Sequence, residues 1–156
     1  MQHRIEFLVE ASRFGSQPIV TPVIDDTPLP RLLDRFEHSR GYESQLDYGG
    51  LLCDRFNFGP LDRYFLGRPV EPEYWQSIGG IYLLGCAGCG DVGCWPLVAV
   101  VKASLTSVVW SDFRQPHRPN RDYSVPVPAQ ALRNETGKAD AGSLWHRWDL
   151  GPIYQS

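Results

Sequence analysis

The chain has 156 residues, of which 42% are hydrophobic and 21% charged, and a net charge of −3. A domain of that size buries roughly 70% of the surface its unfolded chain exposes, so a core needs no disulfide or metal to hold it. The acidic balance excludes broad, non-specific binding to nucleic acid or anionic membranes, though not a local basic patch.

No stretch approaches the roughly 18 apolar residues that span a bilayer. The opening residues, Met1 to Glu6, lack the apolar run and small-residue cleavage site of a secretory signal. The expectation is a cytoplasmic protein with no membrane association. In that compartment thiols stay reduced, and clustered cysteines point to metal or catalysis before disulfides.

In chain order, Arg4 to Ala11 alternates Ile5, Phe7 and Val9 against Glu6, Leu8 and Glu10, the period of a strand. Pro18 to Ile24 is extended and β-branched. Pro22 cannot donate to a ladder, so this strand is expected to be short or at a sheet edge. Asp25-Asp26-Thr27-Pro28 reads as a turn opening a helix, with Thr27 as its cap and Pro28 at the first helical position. Leu29, Leu32, Leu33 and Phe36 recur at helical spacing, and Gly41 is the expected stop.

From Tyr42 to Ile78, glycines and prolines punctuate the pattern. A short helix is expected from Pro60 to Leu66, with Leu61, Phe65 and Leu66 facing the core. Phe56, Phe58, Tyr64, Tyr74 and Trp75 read as core filling. Ile81 to Leu84, Leu97 to Val101 and Thr106 to Phe113 are apolar, β-branched runs that predict an antiparallel meander. Val125 to Pro128 is expected to be extended, Asn134 to Ser143 to be an exposed loop, and Leu144 to Trp148 to pack back on the body. With no internal repeat and no low-complexity linker, residues 1–156 read as one α+β domain. Its mostly antiparallel sheet carries one or two helices packed on one face.

The pointed chemistry lies in Cys86-Ala87-Gly88-Cys89-Gly90-Asp91-Val92-Gly93-Cys94. Two cysteines two residues apart, flanked by glycine, form a turn that aims both sulfurs at one point, as in a zinc knuckle. Cys94 follows as a third ligand. Structural zinc takes four, so a fourth must come from elsewhere: His117 first, Cys53 next. The competing reading is a glycine-rich turn holding small, buried, reduced thiols. An iron–sulfur cluster would also use thiolates, but the spacing is not one of its familiar runs. A thioredoxin-like redox pair needs a helix N-terminus, which Gly88, Gly90, Gly93 and Pro96 oppose. The formal Gly-x-Gly-x-x-Gly from Gly88 to Gly93 precedes a strand, not a helix, and so is no dinucleotide fingerprint.

Cys89 to Leu97, followed by Val108 to Phe113, resembles a group of small bacterial proteins of no assigned activity. They share a Cys-Gly-x-x-Gly-Cys turn, an apolar strand and a Trp-x-x-Phe ending. The resemblance covers residues 78–118 and implies a bacterial source and a common β-hairpin.

Two further constellations carry chemistry. Cys94 with His117, oriented by Asp112, has the residue types of an activated nucleophile. Arg114, Arg118 and Arg121 form a basic loop of the kind that holds phosphate or carboxylate, with Trp110 and Phe113 nearby to stack on a base. The leading expectation is a non-catalytic binding or regulatory protein whose partner is another protein, with a structural zinc in its cysteine turn. The alternatives are a thiol-dependent enzyme using Cys94 or Cys89, for redox or acyl transfer, and a nucleic-acid binder acting through the Arg114–Arg121 loop.

Overall fold

The computed structural model describes residues 4–12, 18–43, 45–52, 58–104, 107–123 and 131–133. Two antiparallel sheets carry it. In the first, β1 (Ile5–Glu10) pairs with β2 (Ile19–Ile24), whose other side takes β3 (Thr27–Pro28) and β5 (Leu51–Leu52). In the second, β4 (Tyr48–Gly49), β6 (Ile81–Cys86), β7 (Leu97–Ala103), β8 (Ser107–Arg114) and β9 (Ala131–Arg133) lie side by side in that order. The stretch from β6 to β8 is the expected meander, β9 was not anticipated, and the α+β architecture matches the reading of the sequence. Among the described residues no helix is long and apolar enough to cross a membrane.

β2 departs from expectation. It is flanked on both sides, although it contains Pro22. The Asp25 N–H donates to the Arg4 carbonyl (3.0 Å). Bonded and non-bonded pairs alternate along an antiparallel ladder, so the Phe7–Pro22 pair exchanges no bonds. On the other side, β3 pairs with residues 23 and 24 and β5 with residues 19 and 20. The proline therefore sits in the gap between two short partners, where its missing N–H breaks no ladder bond.

Asp25 and Asp26 have φ of 47° and 68°. Two consecutive positive values make a hairpin turn, and Thr27 pairs back with Ile24. Thr27 is thus a strand residue, not the helix cap expected of it. Helix α1 (Leu29–Ser39) starts without a side-chain cap. It buries Leu29, Leu33, Phe36 and Glu37. It ends at the expected glycine, with Gly41 N–H on the His38 carbonyl and Tyr42 N–H on that of Glu37.

The expected short helix is present as α2 (Leu61–Tyr64), while α3 (Pro72–Ile78) was not anticipated. Leu61, Tyr64 and Phe65 are buried, as is Trp75 from α3; Tyr74 lies at the surface instead of filling the core. Tyr64 and Trp75 meet edge to face at 5.1 Å, and the Tyr64 hydroxyl donates to the Tyr82 carbonyl on β6 (2.7 Å).

Every residue of β6 is buried, and side chains from both sheets and all three helices join one core cluster. A bulge shifts the β7–β8 register between Val98–Arg114 and Val100–Ser111. Asp112 takes φ 51° there. The extra residue turns both Trp110 and Phe113 inward, and both are buried despite their odd spacing. Phe56, Val125 to Pro128, Asn134 to Ser143 and Leu144 to Trp148 lie outside the described residues.

Candidate metal centre

The cysteine segment joins β6 to β7 as two successive turns. Gly90 N–H donates to the Cys86 carbonyl (2.9 Å), closing the first turn. Gly90 has φ 77°, a conformation that costs a side chain about 1–2 kcal/mol. Asp91 builds the second turn: its Oδ1 accepts from Gly93 N–H (2.8 Å), and its carbonyl accepts from Cys94 N–H (3.3 Å). Strand β4 pins the loop from the side, because Ala87 N–H donates to the Asp47 carbonyl (2.9 Å). The approach is close enough that a Cβ on Gly49 would lie 2.9 Å from the Ala87 Cα.

These turns bring together the three cysteines singled out in the sequence. The sulfurs of Cys86, Cys89 and Cys94 all lie within 4.8 Å of one another. Cys86 is buried, Cys94 half-buried and Cys89 exposed. Burial pushes the Cys86 thiol up, but the backbone N–H groups of Cys89 and Gly88 and the thiols of Cys89 and Cys94 outweigh it, leaving Cys86 below its ordinary value. Donation of the Cys94 S–H to the neighbouring sulfurs of Cys89 and Cys86, then burial, pushes Cys94 up to about 12. Cys86 is thus the more readily ionised sulfur of the set and Cys94 the less, and two adjacent negative sulfurs would repel. A divalent cation at the centre would remove that repulsion.

No fourth His, Cys, Asp or Glu among the described residues joins the set. His117 lies beside it. Its Nε2 is 2.8 Å from the Gly93 carbonyl, and its ring stacks on Trp95 with centroids 6.1 Å apart and planes at 6°. Its backbone N–H donates to Gln115 Oε1 (3.0 Å). Cys53 lies outside the described residues. The Cys94, His117 and Asp112 set is not joined by hydrogen bonds: His117 Nε2 is turned to the Gly93 carbonyl, and Asp112 Oδ2 is 3.5 Å from Ser111 Oγ.

The three arginines serve three different places. Arg114 Nη2 donates to the carbonyls of Ile78 (2.8 Å) and Gly79 (2.7 Å) at the end of α3. Arg118 is 8% exposed, donates to the Glu43 carbonyl and stands 3.8 Å from Glu37. Arg121 lies over the Tyr42 ring at 5.0 Å. Arg118 is therefore spent internally, not presented on an anion-binding loop.

A buried polar network behind the cysteine loop escaped the sequence reading. Glu37 Oε1 accepts from the hydroxyls of Tyr48 (2.8 Å) and Tyr123 (2.8 Å). Gln115 Nε2 donates to Tyr48 (3.1 Å), and Arg118 Nη1 to Tyr123 (3.2 Å). The Arg118 guanidinium also covers the Trp95 ring at 5.0 Å. Through Gln115 and His117 this network runs from α1 to Gly93, the residue before Cys94. One signal was available: Glu37 falls four residues after Leu33 and eight after Leu29, on the apolar stripe of α1, where a carboxylate needs buried partners.

An open cleft of about 500 Å³ flanks the loop, lined among others by Leu8, Glu10, Thr21, Leu52, Cys86 and Ala87. In comparison with known proteins, the chain matches no family model, no curated protein and no solved structure.

Proposed function

We propose that this chain is a non-catalytic binding protein whose β6–β7 loop is held in shape by a structural zinc ion on Cys86, Cys89, Cys94 and a fourth ligand. The observation that carries the reading is the convergence of three sulfurs within 4.8 Å on two glycine-bearing turns. Thiolates suit zinc, which contributes folding free energy directly when it closes such a loop. In this reading the network through Trp95, His117 and Arg118 is the platform under the metal loop. The cleft beside the loop, with the exposed Leu8 in its wall, supports a protein partner as occupant.

Zinc measured on protein purified without chelator tests this reading. About one ion per chain, lost in Cys89→Ala together with a lowered melting temperature, is the expected result. A zinc-free parent that melts at the same temperature with and without added zinc overturns it.

A further inference from the structure

Structural zinc wants four protein ligands, whereas the described residues bring three sulfurs together and no fourth donor. His117, the expected fourth ligand, is engaged three ways. His117 Nε2 faces the Gly93 carbonyl at 2.8 Å, its ring lies parallel to Trp95, and its backbone N–H is on Gln115. In that position the side chain clamps the loop one residue before Cys94. Three thiol sulfurs without a harder donor suit a soft ion that is satisfied by three ligands. Thiolates select soft ions, copper(I) and zinc among them, and the singly charged copper(I) is satisfied by two or three thiolates where structural zinc takes four ligands. The gradation of burial supplies a path, since exposed Cys89 meets the ion first and buried Cys86 is the deepest ligand.

We propose that Cys86, Cys89 and Cys94 form a three-coordinate copper(I) site, with His117 outside the coordination sphere as the residue that positions the Cys94 end of the loop. The proposal rests on the thiolate-centre reading above and changes the ion and its coordination number. Loading of the metal-free loop forms three S–Cu bonds and releases the thiol protons to solvent; in the zinc-loaded chain the S–Zn bonds break instead, three S–Cu bonds form and the zinc leaves as Zn(II). No electron moves, because the copper enters as copper(I).

The test titrates the zinc-loaded full chain anaerobically with copper(I) held in a competing chelator, followed by X-ray absorption at the copper edge. The expected result is one copper per chain, release of the zinc, and three sulfur neighbours with no nitrogen. His117→Ala should keep the three-sulfur signature while weakening copper affinity about 10- to 100-fold, the usual effect of an outer-shell partner. Two sulfur neighbours only, or a nitrogen neighbour that disappears in His117→Ala, overturns the proposal. Zinc retained at one per chain with no copper uptake overturns it and leaves the zinc reading intact. Failure to bind either ion removes both.

Discussion

Replacing Glu37 by alanine tests the buried network that backs the metal loop. Glu37 is 4% exposed and Arg118 8% exposed, so the substitution leaves a guanidinium buried without its carboxylate. Breaking a buried pair on one side costs about 3–5 kcal/mol. The hydroxyls of Tyr48 and Tyr123 also lose their acceptor, at about 1–3 kcal/mol for each buried group left unsatisfied. These terms overlap, because Gln115 still donates to Tyr48 and Arg118 still donates to Tyr123 and to the Glu43 carbonyl. The expected loss is therefore about 3–5 kcal/mol in total, read from urea unfolding followed by tryptophan fluorescence. Glu37→Gln keeps an oxygen for both phenols and should fall between alanine and the parent. The control is Asp26→Asn, at a surface pair whose side chains are 51% (Arg4) and 78% (Asp26) exposed. That pair is expected to contribute under about 1 kcal/mol, and asparagine tolerates the positive φ of the turn. A Glu37→Ala loss no larger than that of the control would refute the network.

Two other outcomes follow from the same structure. Gly90→Ala places a side chain at φ 77° and should cost about 1–2 kcal/mol, with weaker zinc retention in a chelator competition; an unchanged urea midpoint and unchanged retention would contradict the turn. Burial, as the largest cause, raises the hydroxyl pKa of Tyr48, Tyr64, Tyr82 and Tyr123 in the fold. The unfolded chain gives up these protons first, near pH 10. Stability contributed by these groups is thus fully present below about pH 10 and falls as pH rises above it. Phenolate absorbance from these four rings should appear only with cooperative unfolding, and smooth ionisation of every tyrosine near pH 10 in the folded protein would count against their burial.

The strands and the main helix were legible because periodicity reports directly on burial. Ile5, Leu29, Leu33, Phe36 and the apolar run of β6 carry that signal, and all are buried. The cysteine turn was legible for a local reason: glycine spacing fixes where the backbone reverses. Long-range pairing was less accessible. Pro22 reads as an edge residue until β3 and β5 are seen to leave a gap beside it. Asp25-Asp26 looks like a helix opening until both residues take positive φ in a hairpin. α3 carries only Trp75 as a buried anchor, too little for a helical stripe. Arg118 sits in a run of polar residues that suggests solvent, and only the fold brings it against Glu37, 81 positions earlier. The fourth-ligand expectation for His117 rested on the strand that returns the chain towards the turn, which sets the neighbourhood of a side chain but not the atom it binds.

The chain contains four cysteines, and alkylation mapped by mass spectrometry measures the metal centre at each position. If an ion joins the β6–β7 sulfurs, Cys89 resists the reagent in the loaded protein despite its exposure, and Cys86, Cys89 and Cys94 become reactive together once a chelator removes the ion. Equal modification of Cys89 before and after chelation, in protein shown to carry metal, would mean that the bound ion sits elsewhere.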